Sequence, residues 1–221
     1  MAITAFLTRF IPFSAFFRNV NTLVHELGHA LVTLILSGNV MYINLYADQS
    51  GVTYSSYTAN WKLIPISLAG YMGAALFALL LFYLHTRKKE RAGLVVVTIL
   101  AVLSLMLFVR NDYGMIWCGG FAVLTIVICT IAPTWLRNSY YLLIAFLCLV
   151  ESVISSFVIL VLALQDAKSA GDAANLSEVT YVPAIFWGLL FTVFSLWCAK
   201  AAIKLMFTEG YFSGRVSLTQ R

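Results

Sequence analysis

Charge is what this chain has least of. Asp, Glu, Lys and Arg together supply 10% of its 221 residues, where an ordinary soluble domain is about a quarter charged. With 62% of the residues hydrophobic, a water-soluble globular fold is excluded and a bilayer is the medium the composition fits. Cysteine pairing is also missing. Cys118, Cys129, Cys148 and Cys198 each lie in an apolar segment and none has a CxxC partner, which argues against a disulfide framework and a thiolate metal site. Aromatic and basic residues are not interleaved, so the net charge of +5 points to orientation in a lipid bilayer rather than to nucleic acid. The length leaves no room for a large soluble domain beside a membrane domain, and we read 1–221 as a single transmembrane domain.

What is abundant is long apolar runs. They can be marked at 20–37, 61–84, 92–109, 114–132, 140–164 and 179–199, each long enough to cross a bilayer. Met1 to Phe17 is apolar and aromatic but contains Arg9 and Pro12, is followed by Arg18 and has no small-residue cleavage site. It reads as an amphipathic lead-in rather than a signal peptide. The connection Thr86-Arg87-Lys88-Lys89-Glu90-Arg91 is the strongest orientation signal and is expected in the cytoplasm. Arg9, Arg18 and Arg137 agree with it, as does a polar cytoplasmic tail over 200–221. The expectation is an all-α, multi-pass integral membrane protein of about six transmembrane helices, with both termini cytoplasmic.

Two connections depart from simple loops. Between Gly38 and Asn60, Val40, Tyr42, Asn44 and Tyr46 alternate with Met41, Ile43 and Leu45, and Asp48-Gln49-Ser50-Gly51 supplies a turn before Val52-Thr53-Tyr54. That pattern predicts a small β-hairpin insertion over 40–54, after the first span. The second, Gln165 to Glu178, is rich in small and acidic residues.

Chemistry is named in one place. Two of the three histidines stand four apart in His25-Glu26-Leu27-Gly28-His29, so on a helix they share a face and can hold one metal ion, with Glu26 beside them as a general base. Gly28 leaves room for a second backbone to approach. A stable zinc site needs a third protein ligand. His85 is a poor candidate because it lies among basic residues. Among carboxylates Asp172 comes first, because Gly171 gives the backbone freedom and Ala173-Ala174 permit close packing. Asp166 comes second. Glu151 is third, inside a span beside Ser152, Ser155 and Ser156, where it is equally readable as an outer support or part of a polar path. Asn175, one turn beyond Asp172, can orient a peptide carbonyl or the aspartate. Gly70 and Gly73, three apart, form a small-residue face for close helix packing near the site.

The HELGH motif in an early apolar helix, the hairpin after it and the span containing Leu68-Ala69-Gly70-Tyr71-Met72-Gly73 together resemble the M50 intramembrane metalloproteases, the site-2-protease class. The late Gly171-Asp172-Ala173-Ala174-Asn175-Leu176, followed by an apolar span, resembles the M50B-like branch in particular. The resemblance covers most of the chain. It implies one Zn2+ ion held by His25, His29 and Asp172, with Glu26 as the base and a transmembrane protein or peptide as substrate. Departing from better-known members, Asp172 is followed by Ala173 rather than glycine. Two other functions are compatible with the composition: a protease-like scaffold or regulator that binds without cutting, and a transporter in which Glu151 and its serines line a path. A transporter predicts paired internal repeats, and none is evident. One conflict stands within this reading. The basic loops put His25 in the cytoplasmic half of the first span and the Asp172 segment on the opposite side. Either 165–178 folds inward or one apolar run fails to cross.

Overall fold

The helix that carries the histidines is too polar to stand in lipid by itself, and the rest of the fold encloses it. In the computed structural model, which describes residues 14–218, α1 runs Ser14–Ile35. Arg18, Thr22, His25, His29 and Thr33 recur along it every three or four residues and so share one face. Val20, Leu23, Leu27 and Ala30 on its other faces are buried as well. Only the stretch from Leu31 to Ile35 shows large exposed side chains. The lead-in read over Met1–Phe17 lies for the most part outside the described residues.

Among the described residues, five helical segments are long and apolar enough to cross a membrane: Asn60–Thr86, Glu90–Leu107, Asp112–Ile131, Thr134–Gln165 and Ala184–Phe207. The expectation of six is corrected to five, and the polar stripe on α1 is the physical reason. The first segment is a short 3-10 turn (Asn60–Lys62) running into α2 (Leu63–Thr86). The next three are α3 (Glu90–Leu107), α4 (Asp112–Ile131) and α5 (Thr134–Gln165). After a 3-10 turn at Ala167–Ser169 comes the short α6 (Gly171–Thr180), then α7 (Ala184–Leu218). Large apolar side chains such as Ile116, Val123, Ile131 and Trp197 point outward, whereas Ala74, Ala75 and Ala78 of α2 are buried. That is the arrangement a bilayer favours, with small residues letting helices approach. The run expected over 179–199 is divided, because Tyr181 takes a left-handed conformation at φ 60° and ends α6. Residues from Lys200 onward, expected as a tail, continue α7 as helix to Leu218, with Ala202 fully buried.

The hairpin falls where the alternation put it. Strand β1 (Asn39–Leu45) pairs antiparallel with β2 (Gly51–Ser56), Tyr42 facing Tyr54 and Ile43 facing Thr53, with an irregularity between Val40 and Tyr42. At the turn, the Ser50 amide and hydroxyl both donate to the Asp48 carboxylate at 3.0 and 2.6 Å, which holds that carboxyl below its ordinary pKa. The outer edge of β1 is occupied by the α3–α4 connection. The Ile43 amide donates to the Phe108 carbonyl at 2.9 Å and the Arg110 amide to the Ile43 carbonyl at 3.3 Å. Asn111 brackets Leu45, accepting from its amide at 3.1 Å and donating to its carbonyl at 2.5 Å. Among the described residues, β2 makes no backbone hydrogen bond beyond β1.

Short turns at 87–89 and 132–133 reverse the chain between neighbouring helices. The hairpin, the 108–111 connection and the 166–183 segment therefore gather at one end of the bundle. Arg18, expected as a flanking charge, lies inside it instead. Its guanidinium donates to both oxygens of Glu151 on α5, at 2.6 and 3.0 Å, with both side chains buried.

Candidate metal centre

His25 and His29, one turn apart on α1, bring their Nε2 atoms to 3.0 Å. The His29 Nδ1 lies 2.7 Å from the Ile66 carbonyl on α2. A carbonyl only accepts, so the proton sits on Nδ1 and the Nε2 lone pair is left for a metal, the outer support typical of metal-binding histidines. The His25 ring stands edge-on to Tyr71 at 4.5 Å between centroids, and Tyr71 stacks on Phe191 of α7.

Asp172 comes from the other end of the sequence. Gly171 opens α6 at φ +49°, a conformation glycine adopts without strain. The following turn of helix carries Asp172 Oδ2 to 3.3 Å from His25 Nε2 and 3.2 Å from His29 Nε2. Ala173 and Leu176 bury α6 against the bundle. The two motifs thus meet, Asp172 on α6 against the histidines of α1, a helix that is not among the candidate spans.

The three donor atoms fit zinc. Bonds of about 2.0–2.1 Å arranged tetrahedrally give donor–donor edges of about 3.3 Å. The observed triangle has edges of 3.0, 3.2 and 3.3 Å, and two imidazoles with one carboxylate are ligand types that zinc accepts. Among the described residues this is the one group of three His, Cys, Asp or Glu side chains close enough to share an ion.

Glu26 is buried next to this triangle and is held by the hairpin. The Thr53 hydroxyl lies 2.6 Å from Glu26 Oε2 and 3.1 Å from the Glu26 carbonyl. Gly51 lies so close that a Cβ there would sit 2.7 Å from Glu26 Oε1. A cavity of about 320 Å3 opens in front, lined by His25, Glu26, His29, Thr53, Asp172 and Asn175 among others.

The two glycines of α2 have separate roles. A Cβ on Gly70 would fall 2.6 Å from Cε1 of both histidines and from His29 Nε2, so the rings rest directly on this residue. Gly28 crosses α2 at the same level, where an added Cβ would meet the Ala69 carbonyl oxygen at 2.6 Å. Gly73 has nothing within 4 Å of its Cβ position and lines an apolar cavity with Leu27, Phe77 and Leu100. Glu151 lies outside the triangle, engaged by Arg18. Asp166 is exposed and caps the 3-10 turn by accepting from the Lys168 amide at 3.1 Å. His85 pairs with Glu90 at 2.9 Å.

Thr53, Gly51, Tyr71 and Ile66 were not singled out from sequence. Thr53 and Gly51 read there only as hairpin residues, Tyr71 stands between the two glycines of α2 without a motif of its own, and a main-chain carbonyl such as that of Ile66 carries no sequence signal.

Residues 1–202 match the family model described as Peptidase M50B-like. No curated protein and no solved structure matches the chain.

Proposed function

The chain belongs to the M50B-like peptidase family, and on that premise we propose that it is an intramembrane zinc metallopeptidase. It hydrolyses peptide bonds of membrane-embedded or membrane-proximal substrates. The observation that carries this reading is the donor triangle of His25, His29 and Asp172 with the Glu26 carboxylate beside it, facing one cavity. When bound, a zinc ion supplies Lewis acidity, acidifying a water and polarising a carbonyl.

The protein's own residues do the rest. His25, His29 and Asp172 hold the ion, and the Ile66 carbonyl fixes the His29 tautomer. Glu26 takes the proton from the attacking water and returns it to the leaving amine. Thr53 donates to Oε2 of that carboxylate and so fixes its orientation, leaving Oε1 for the proton. Asn175, lining the same cavity, orients the substrate carbonyl. A helical substrate must first be unwound, because its carbonyls are already hydrogen-bonded. The edge of β2 not used by β1 can pair with the extended strand that results, a recurrent mode of peptide capture.

Against transport, Glu151, which would line a path, is tied to Arg18. The experiment measures metal content and cleavage together. Purified wild type, Asp172→Ala, Asp166→Ala and Glu26→Gln are reconstituted with a pool of single-span peptides, and products are read by mass spectrometry. Asp172→Ala is expected to lose zinc and cleavage, Asp166→Ala to keep both, and Glu26→Gln to keep zinc and lose cleavage. Full-rate cleavage by Glu26→Gln would refute the assignment, and a metal-loaded wild type that cuts nothing would favour a binding scaffold.

A further inference from the structure

The end of the bundle away from the hairpin carries a groove of about 700 Å3 between α2 and α7, which the proposed chemistry does not use. Its walls are apolar, with Leu76 and Leu80 from α2 and Ala201 and Leu205 from α7. Tyr83 and Lys204 also line it. Both helices run from the hairpin end toward the turn at 87–89. Tyr83 therefore stands near the outer end of the groove, and Leu76, seven residues earlier, lies about 10 Å deeper. Leu76, Leu80 and Tyr83 are 47%, 42% and 43% exposed, so the groove opens outward rather than into the bundle. Positive charge stands at its outer end. The Arg87 guanidinium lies over the Tyr83 ring, 5.2 Å from the centroid, and Lys204 is part of the groove itself. The turn sets Arg87, Lys88, Lys89 and Arg91 against one acid, Glu90, whose side chain is buried and engaged by His85 at 2.9 Å.

We infer that this groove binds one anionic phospholipid. An acyl chain lies along Leu76, Leu80 and Leu205, and the headgroup phosphate sits at Arg87 and Lys204. Charge decides the occupant. An apolar wall alone accepts any lipid tail, but two cations at its mouth favour a headgroup of net negative charge. A zwitterionic headgroup brings its own cation, which offsets its phosphate. Basic pockets between spanning helices on the cytoplasmic side are a recurrent means of holding anionic headgroups, and the 86–91 connection is expected on that side. A spanning helix of another protein suits the mouth less well, because its cytoplasmic flank is itself rich in Lys and Arg and would bring like charge. The volume agrees, since sites for small molecules measure roughly 300–1,000 Å3. The inference is independent of the peptidase reading and needs no metal.

The test titrates the full-length protein in detergent micelles with dioleoyl phosphatidylglycerol or dioleoyl phosphatidylcholine, which share their tails and differ in net charge. Bound lipid is counted by native mass spectrometry, with circular dichroism and monodisperse elution as the checks on folding. Wild type is expected to retain one phosphatidylglycerol about 30-fold more tightly than phosphatidylcholine, from two cations beside one anionic headgroup. Arg87→Gln with Lys204→Gln should abolish that preference. Lys88→Gln with Lys89→Gln removes the same charge from the same turn without altering the groove, and should preserve most of it. Ala201→Trp fills the groove and should release the tight phosphatidylglycerol while leaving every cation in place, so it carries the test should the double charge variant not fold. Equal affinity of wild type for the two lipids overturns the site. An equal loss in the two double variants also overturns it, showing only diffuse attraction to a basic surface, as does tight phosphatidylglycerol binding that survives Ala201→Trp. Absence of lipid preference, together with capture of a single-span peptide that Ala201→Trp abolishes, would make the groove a helix-docking face instead.

Discussion

Substituting Gly70 by alanine should cost the protein its metal without replacing a ligand. The added Cβ would sit 2.6 Å from carbon atoms of both imidazoles, whereas carbon atoms in ordinary contact lie about 3.5–4.0 Å apart. The rings must therefore retreat by about 1 Å. Moving α2 away instead would open the close crossing of Gly28 on the Ala69 carbonyl and pull the Ile66 carbonyl from His29 Nδ1. A metal site tolerates ligand displacements of about 0.2 Å, so 1 Å leaves the donor triangle unable to close. Loss of an outer support costs about 10–100-fold in metal affinity, and displacement of two ligands should reach at least the upper end, about 100-fold or 2.7 kcal/mol. Zinc affinity is measured by competition with a chromophoric chelator. Gly73→Ala is the control, on the same helix and three residues away, where the new methyl meets nothing within 4 Å. Wild-type affinity in Gly70→Ala, or an equal loss in Gly73→Ala, would refute the claim that the rings rest on Gly70.

Other outcomes follow from single contacts. Thr53→Val removes the donor 2.6 Å from Glu26 Oε2 and should lower kcat by about 10-fold with zinc content unchanged, read by steady-state kinetics beside metal analysis. Arg18→Met leaves the Glu151 carboxylate buried without its partner, at a cost of about 3–5 kcal/mol, while Arg18→Met with Glu151→Leu recovers most of it; detergent unfolding titrations of the two variants measure the difference. Asn111→Ala deletes both bonds to the Leu45 main chain and should free the hairpin, seen as faster proteolysis between Asp48 and Gly51 and faster exchange of the Leu45 amide.

The hairpin, the motif helix and the three donors were legible in sequence because each has a local signature: alternation for β1 and β2, a four-residue spacing for the histidines, a Gly-Asp pair for the remote acid. The span count was not. Hydrophobic runs were counted by composition, and α1 was included although its polar face needs protein rather than lipid around it. The apparent clash over sides had the same origin. Placing the first span at 20–37 put His25 near its beginning. The helix begins at Ser14, so His25 is the twelfth of its 22 residues and His29 stands only about 9 Å from the hairpin end. With α1 not among the candidate spans, Asp172 on α6 meets the histidines from the hairpin end. Arg18 misled for a related reason, since a charge near the start of an apolar run reads as a membrane flank unless its partner, 133 residues away, is known. Contacts through main-chain atoms, such as the Ile66 carbonyl on His29, are invisible to side-chain patterns.

The two edges of the hairpin divide its work. β1 is anchored by Phe108, Arg110 and Asn111, so the sheet cannot lengthen on that side. β2 carries Thr53 and Gly51, the two residues that touch Glu26. In the proposed mechanism the strand that receives the substrate is therefore the strand that aims the base. A peptide pairing with β2 is set in register with Glu26 through a single rigid element, because successive residues along a strand are spaced about 3.4 Å apart and a one-residue slip reverses every side chain. On this view the anchor at Asn111 serves cleavage precision as well as stability. Asn111→Ala should consequently spread cleavage over neighbouring bonds of one peptide, which mass spectrometry of the products resolves. A single unchanged cleavage site in a variant whose hairpin exchanges freely would show that register is set elsewhere.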